Sequence, residues 1–399
     1  MKYNFSDKLS NLKPSAIREI FKSLSDPTVI SFAAGNPAPE SFPVEAIEKI
    51  SADIFRTEPV TALQYGITEG YPPLRNAIAE RQKKRFGEGM VRDGESVMVV
   101  SGGQQGIELA CKAFCNEGDA VICEDPSFIG ALNSFRSNGA RTVGVPMESD
   151  GIDINALEET LKTEKRAKLL YIIPTFQNPT GITMSVEKRR AVLSLAEKYN
   201  IMILEDNPYG ELRFAGKDIP TLKSMDDSGR VIYCSSFSKI LSAGMRVGFV
   251  IAPDVILSKM TVAKQSEDVH TNVFFQMLSY RFMSEFDIDG HIAKINDLYR
   301  KKCTLMLDCI DKYIDSEYAE FTRAEGGLFI WGTLKGMTDS TPLVKKALEK
   351  KVAVVPGSAF NCDPSLPSPS FRLNYSTPSD EQIVTGIKAL GETIREMYS

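Results

Sequence analysis

The sequence predicts an α/β fold in two parts, a large domain on a mostly parallel sheet followed by a smaller α+β domain. Three observations carry that expectation. Between residues 95 and 255, six short apolar runs recur with helical patterns between them. The runs are rich in β-branched residues and barely alternate, as expected of strands buried on both faces of a parallel sheet. After about residue 283 the order loosens into a long charged helical stretch, three separated strand-like runs and a final amphipathic helix, a pattern that suits an α+β unit. The length of 399 residues agrees with more than one core, because single cores stop growing at about 250–300 residues.

In chain order, the first 45 residues are rich in Pro and Asn turns and are expected to form an arm outside the main sheet, contributing in part to the small domain. Residues 46–283 make the large domain and 284–399 the small one. The large-domain strands are VMVV (97–100), AVIC (120–123), KLLYII (168–173), IMILED (201–206), RVIYC (230–234) and RVGFVIA (246–252). Between two of them, Val192, Leu195, Ala196 and Tyr199 recur at helical spacing, with Ser185 placed as N-cap and Asn200 as the stop. In the small domain a helix over 288–313 precedes strands in GGLFIWGTL (326–334), VAVVPG (352–357) and FRLNYS (371–376). The last helix opens with Ser379 and Gln382 in capping-box spacing and then shows Ile383, Ile387, Leu390 and Ile394 on one face.

Composition narrows the function. Hydrophobic residues at 43% and charged residues at 25% are ordinary globular usage, so disorder is not expected. The net charge of −5, with no basic stretch, argues against a nucleic-acid or anionic-membrane surface. The seven cysteines include no C-x-x-C pair, which suits a reducing compartment. With no signal-like start and no long apolar run, the expected location is cytoplasmic. Only His270 and His291 are present, so a zinc site built from several histidines is excluded. Proton transfer falls to lysine, tyrosine or aspartate.

Four segments carry chemistry. In VMVVSGGQQGIELACKAF (97–114) a strand runs through Gly102, Gly103 and Gly106 into a helix. Glycines there let backbone N–H groups approach an anion at a helix N-terminus; a tight strand–helix joint is the plain alternative. In SSFSKILSAGMRVGF (235–249), Lys239 follows a buried strand, where desolvation would free a neutral amine to attack a carbonyl. Ser236 and Arg246 would suit a phosphate, and a solvated surface turn is the other possibility. The segments IIPTFQNPTG (172–181) and ILEDNPYGELRF (203–214) place Asn178, Asp206 and Tyr209 just past predicted parallel strands, where open α/β sheets bind ligands. Asn178 would serve equally as a turn residue and Asp206 as a cap. In FRLNYS (371–376), Arg372 sits inside an apolar strand, either paired with an internal carboxylate or reserved for an external one.

Taken in this order, the segments resemble the class I and II aminotransferases, the fold-type I enzymes that use pyridoxal 5′-phosphate (PLP). Within that family they look like the branch of 2-aminoadipate and kynurenine aminotransferases and the aminotransferase-like half of certain bacterial regulators. The likeness extends from SFAAGNPAPESFP (31–43) through LQYGITEGYPPLR (63–75) to Arg372, and SSFSK and FRLNYS are its most specific parts. The resemblance implies a seven-stranded large domain that binds PLP. It implies that Lys239 holds PLP covalently and moves the proton at the substrate Cα, and that Asp206 pairs with the pyridine nitrogen. Asn178 and Tyr209 would hydrogen-bond the ring 3′-oxygen, and Phe128 would stack on the ring. The phosphate would fall to the Gly103 and Gln104 backbone, Ser236 and Arg246, with Ser238 also among the cofactor-binding residues. Tyr65 would reach the phosphate of a neighbouring subunit, so a homodimer is the expected unit. Arg372 would take the substrate α-carboxylate, with Asn178 and the Gly35–Asn36 backbone beside it. Two positions depart from the family pattern: Gly103 stands where a hydroxyl residue is frequent, and Phe128 where tyrosine is frequent.

The activity so implied is transfer of the amino group of an L-amino acid to a 2-oxo acid such as 2-oxoglutarate, by two half-reactions through one site. The same constellation serves C–S β-lyases, because the side chain decides the outcome once the Cα proton is lost. A PLP-binding regulatory domain would need a basic helix-turn-helix segment ahead of a pattern that here starts near residue 30. A purely structural protein would leave Lys239, Asp206 and Arg372 with uncompensated desolvation.

Overall fold

The computed structural model describes residues 3–10 and 26–399; the expected arm over 1–45 therefore lies partly outside the described residues. Within it, β1 (Ile30–Ser31) pairs in parallel with a strand of the C-terminal region, Val352–Ala353.

The large sheet has eight strands: β2 (Glu95–Val100), β3 (Ala120–Asp125), β4 (Arg141–Glu148), β5 (Gly151–Ile152), β6 (Ala167–Ile172), β7 (Met202–Asp206), β8 (Val231–Ser236) and β9 (Gly248–Pro253). Their spatial order is β2-β9-β8-β7-β6-β3-β4-β5. The run β8-β7-β6-β3-β4 is parallel, whereas β9 lies antiparallel to both β8 and β2. Seven strands are long and the eighth is a two-residue edge. The sequence pattern misses β4 because Gly144 and Pro146 interrupt its apolar character and it is only partly buried near the sheet edge.

Side chains alternate between two cores. Val121, Leu169, Leu204 and Ile232 pack toward the helix Gly103–Phe114, while Ile122, Leu170, Ile203 and Val231 face Val192, Leu195 and Ala196 of the helix Val186–Lys198. This two-residue period with apolar groups on both faces explains why the strands read as unbroken hydrophobic runs. Ser185 caps the second helix by accepting from Lys188 N–H at 3.4 Å, and Asn200 turns the chain out at φ 54°.

Toward the C-terminus, the helix Ile288–Tyr313 leads into an antiparallel sheet of β10 (Ala319–Phe321), β11 (Phe329–Leu334), β13 (Val355–Pro356) and β14 (Ser370–Asn374), ordered β10-β11-β14-β13. The run VAVVPG splits between two sheets, β12 (Val352–Ala353) pairing with β1 and β13 with β14. The Ser379–Gln382 capping box opens the last helix, Asp380–Tyr398. The helix Val273–Glu285 crosses the expected 283/284 boundary by two residues.

At the start of β2, the fully buried Lys223 ammonium pairs with Glu95 Oε1. Removing one partner of such a pair strands the other charge in the interior. Glu95→Ala should therefore lower unfolding stability by about 3–5 kcal/mol, read from denaturant titration.

Candidate active site

The C-terminal ends of β3, β6, β7 and β8 open on one side of the sheet, and the segments leaving them enclose a cavity of about 370 Å³. The C-terminal sheet closes it with Phe329 and Arg372. A wider cleft of about 650 Å³ opens between residues 147–149, 180–183 and 320–323, and it holds none of the candidate residues.

One end of the cavity is built for an anion. Among the described residues no side chain caps the helix Gly103–Phe114, which starts there, so its first N–H groups, Gly103 and Gln104 among them, are open to an acceptor. Gly102 is required by geometry: its φ is 79°, and a Cβ would stand 2.1 Å from Arg246 Nη2. Arg246, itself at φ 54°, has no carboxylate partner among the described residues and reaches Ser238 Oγ at 3.3 Å. Ser236 Oγ donates to Ser238 Oγ at 2.7 Å and accepts from the Ser238 N–H at 3.1 Å, which fixes the turn that carries Lys239.

At the centre, Lys239 Nζ donates to the Gly35 carbonyl at 2.7 Å. Burial, joined by the cations of Arg372 and Arg246, pushes its pKa down to about 8. Asp206, ending β7 and 4% exposed, accepts from Tyr171 Oη at 2.8 Å and has no cation partner among the described residues. Burial pushes its pKa up to about 7, against the Tyr171 hydrogen bond. Asn178 bridges two groups, donating to Tyr209 Oη at 3.3 Å and accepting from Arg372 Nη1 at 2.9 Å. Burial raises the Tyr209 phenol above its ordinary range. Phe128, at the N-cap of the helix Ile129–Ser137, adds an aromatic wall.

The other end holds Arg372, 4% exposed on β14. Its Nη2 donates to the Ala33 carbonyl at 2.8 Å, its Nε is buried with no partner, and no carboxylate pairs with it among the described residues. The guanidinium lies 4.3 Å from the Phe329 ring and 4.9 Å from the Phe360 ring, which set its plane. Burial lowers its pKa to about 10. Gly35 and Asn36 line the same end, and the Asn36 carbonyl accepts from Ser376 Oγ at 2.6 Å.

The structure thus brings together every candidate except Tyr65, which stands 81% exposed with its ring edge-on to His270 at 5.7 Å. Three contributors were not singled out in the sequence: Tyr171, Phe329 and Phe360. The signal for Tyr171 is a polar residue inside a buried run, in the strand beside Asp206. The two phenylalanines carry none, because their role depends on the fold of β11 and the turn before β14.

PLP fits these groups. Among the described residues, a helix start with no side-chain cap beside Arg246, Ser236 and Ser238 matches a phosphate, a buried carboxyl with no ion-pair partner matches a ring N–H⁺, an amine whose pKa burial lowers to about 8 matches an aldehyde, and a guanidinium with no carboxylate partner matches a substrate carboxylate.

Comparison with known proteins agrees. The family model for aminotransferase class I and II matches residues 27–390. The chain is 39% identical to aromatic-amino-acid aminotransferase 1 of Thermococcus litoralis, over 98% of this chain and 94% of that protein. It resembles the crystal structure of Pyrococcus horikoshii kynurenine aminotransferase in complex with PMP at TM-score 0.95 and 37% identity, covering 99% and 98% of the two chains. It also resembles the α-aminoadipate aminotransferase of Thermus thermophilus, complexed with N-(5′-phosphopyridoxyl)-L-leucine, at TM-score 0.90 and 36% identity, covering 99% and 98%.

Competitive acylation of lysines across pH, read by mass spectrometry, should give Lys239 a midpoint near about 8 in the cofactor-free protein, reactive above it and protonated below. Arg372→Leu removes a repelling cation and should move that midpoint up.

Proposed function

The chain belongs to the class I and II aminotransferases and is a PLP-dependent transaminase, and from that premise we propose which residues act and on what. The observation that carries the assignment is one cavity holding an amine, a carboxyl and a guanidinium, Lys239, Asp206 and Arg372, none in an ion pair among the described residues.

PLP supplies an aldehyde that collects amines and a ring that accepts the electrons left at the substrate Cα. Lys239 would anchor it, and its amine, whose pKa burial lowers to about 8, would take the Cα proton and return it. Asp206 keeps the ring nitrogen protonated: a cation against this carboxyl favours its ionised form, and Tyr171 steadies the charge. Asn178 and Tyr209 hold the ring 3′-oxygen, with Phe128 against the ring face. Gly103, Gln104, Ser236, Ser238 and Arg246 take the phosphate. Arg372 orients the α-carboxylate by a charge-assisted fork, with Asn178 and the Gly35–Asn36 backbone completing that end.

Residues 46–283 then form the cofactor domain and 284–399 the small domain, to which the arm adds β1. The high exposure of Tyr65 supports a homodimer in which it reaches the neighbouring phosphate site. Seven free thiols support a cytoplasmic location. Ile107 and Ile129 offer apolar surface suited to an aromatic or aliphatic donor, with 2-oxoglutarate as acceptor in a ping-pong cycle.

A donor panel with 2-oxoglutarate, read by glutamate formation, should show turnover led by aromatic amino acids. Lys239→Ala should lose at least roughly 10²–10⁴-fold of it. Full activity in that variant, or pyruvate from a cysteine conjugate in place of glutamate, would contradict the assignment.

A further inference from the structure

Behind the anion end of the cavity lies a buried polar network that touches neither cofactor nor substrate in the assignment above. Its hub is Lys264, in the last turn of the helix Asp254–Gln265 and 0% exposed. A fully buried ammonium survives only with its donors satisfied and its charge matched. Lys264 Nζ donates to Gln105 Oε1 at 2.6 Å, to Asp268 at 2.8 and 3.0 Å, and to Thr271 Oγ1 at 3.1 Å.

Every one of those partners grips the phosphate turn or the segment beside Tyr65. Gln105 Oε1 also accepts from the Ser101 N–H at 2.8 Å, and Asp268 Oδ2 accepts from Ser101 Oγ at 2.6 Å. The Ser101 carbonyl in turn receives Arg246 Nη2 at 3.5 Å. Ser101 is thus held at its N–H, hydroxyl and carbonyl, immediately before Gly102 and Gly103. On the far side, the Thr271 carbonyl accepts from Gln276 Nε2 at 2.7 Å, and Gln276 Oε1 accepts from the Tyr71 N–H at 2.7 Å. His270, between Asp268 and Thr271 in this network, meets the Tyr65 ring. Val269, a β-branched residue, is held at φ 65°, a strained conformation that persists only where the surroundings enforce it.

We propose that Lys264, through Asp268, Gln105 and Ser101, is a positioning residue that fixes the Gly102–Gly103 turn for the cofactor phosphate and ties it to the segment carrying Tyr65. The proposal rests on the assignment of that turn to the phosphate. A purely structural lysine would stabilise the fold without regard to the phosphate group. A positioning lysine acts on the phosphate alone, so it should set the preference for PLP over pyridoxal, which lacks that group.

The test measures dissociation constants of PLP and pyridoxal by absorbance titration of wild type, Lys264→Met and Asp268→Asn, the last keeping the side-chain size in case the first does not fold. Wild type should favour PLP strongly. Either variant should cut the PLP-to-pyridoxal affinity ratio roughly tenfold, the size of a lost charged hydrogen bond, mostly by weakening PLP. An unchanged ratio in a folded variant, with wild type still preferring PLP, overturns the role of Lys264 alone. No preference in wild type overturns the phosphate assignment itself.

Discussion

Asp206, Lys239 and Arg372 lie buried or partly buried around one cavity without counter-charges among the described residues, at a desolvation penalty on the order of several kcal/mol per ion. The protein meets part of that penalty by shifting protonation, lifting the carboxyl toward 7 and lowering the amine toward 8. It cannot do so for the guanidinium, which stays charged and leans on two aromatic faces and a backbone carbonyl. Under the proposed assignment, a cofactor bringing a ring N–H⁺ and an aldehyde would relieve the first two, and a substrate carboxylate the third. The surrounding architecture is arranged so that these groups do not relieve each other.

That arrangement follows from the strand order. Parallel strands β3, β6, β7 and β8 end on the same side, so the first residues beyond each end share one crevice. Asp206 closes β7 and Ser236 closes β8, the strand paired with it. Arg372 comes from a separate sheet, and Asn178 joins the two by bonding both Arg372 and Tyr209. The antiparallel β9 returns the chain to β2, which puts the Gly102–Gly103 turn against Gly248 and beside Arg246.

Much of this was legible in the sequence. The six strands found from pattern carry unbroken buried apolar runs, and β4 escaped because Gly144 and Pro146 interrupt its run and most of its residues are only partly buried. Site residues at strand ends announced themselves as polar groups abutting apolar runs, as with Asp206 after IMILE and Lys239 after RVIYCSSFS. Arg372 was ambiguous, since an arginine in a strand looks the same whether paired internally or not; the absence of a carboxylate beside it, among the described residues, resolves its surroundings. Phe360 and Lys264 gave no signal, because an aromatic or a lysine in a helix has a plain role until its neighbours are known.

The central claim, that the Lys239 amine is the covalent anchor facing the Asp206 carboxyl, has a direct test. Protein loaded with PLP is reduced with borohydride, digested, and its peptides weighed. The phosphopyridoxyl mass should fall on the peptide containing Lys239 and on no other lysine. A label on a different lysine, or none after loading, would contradict the account.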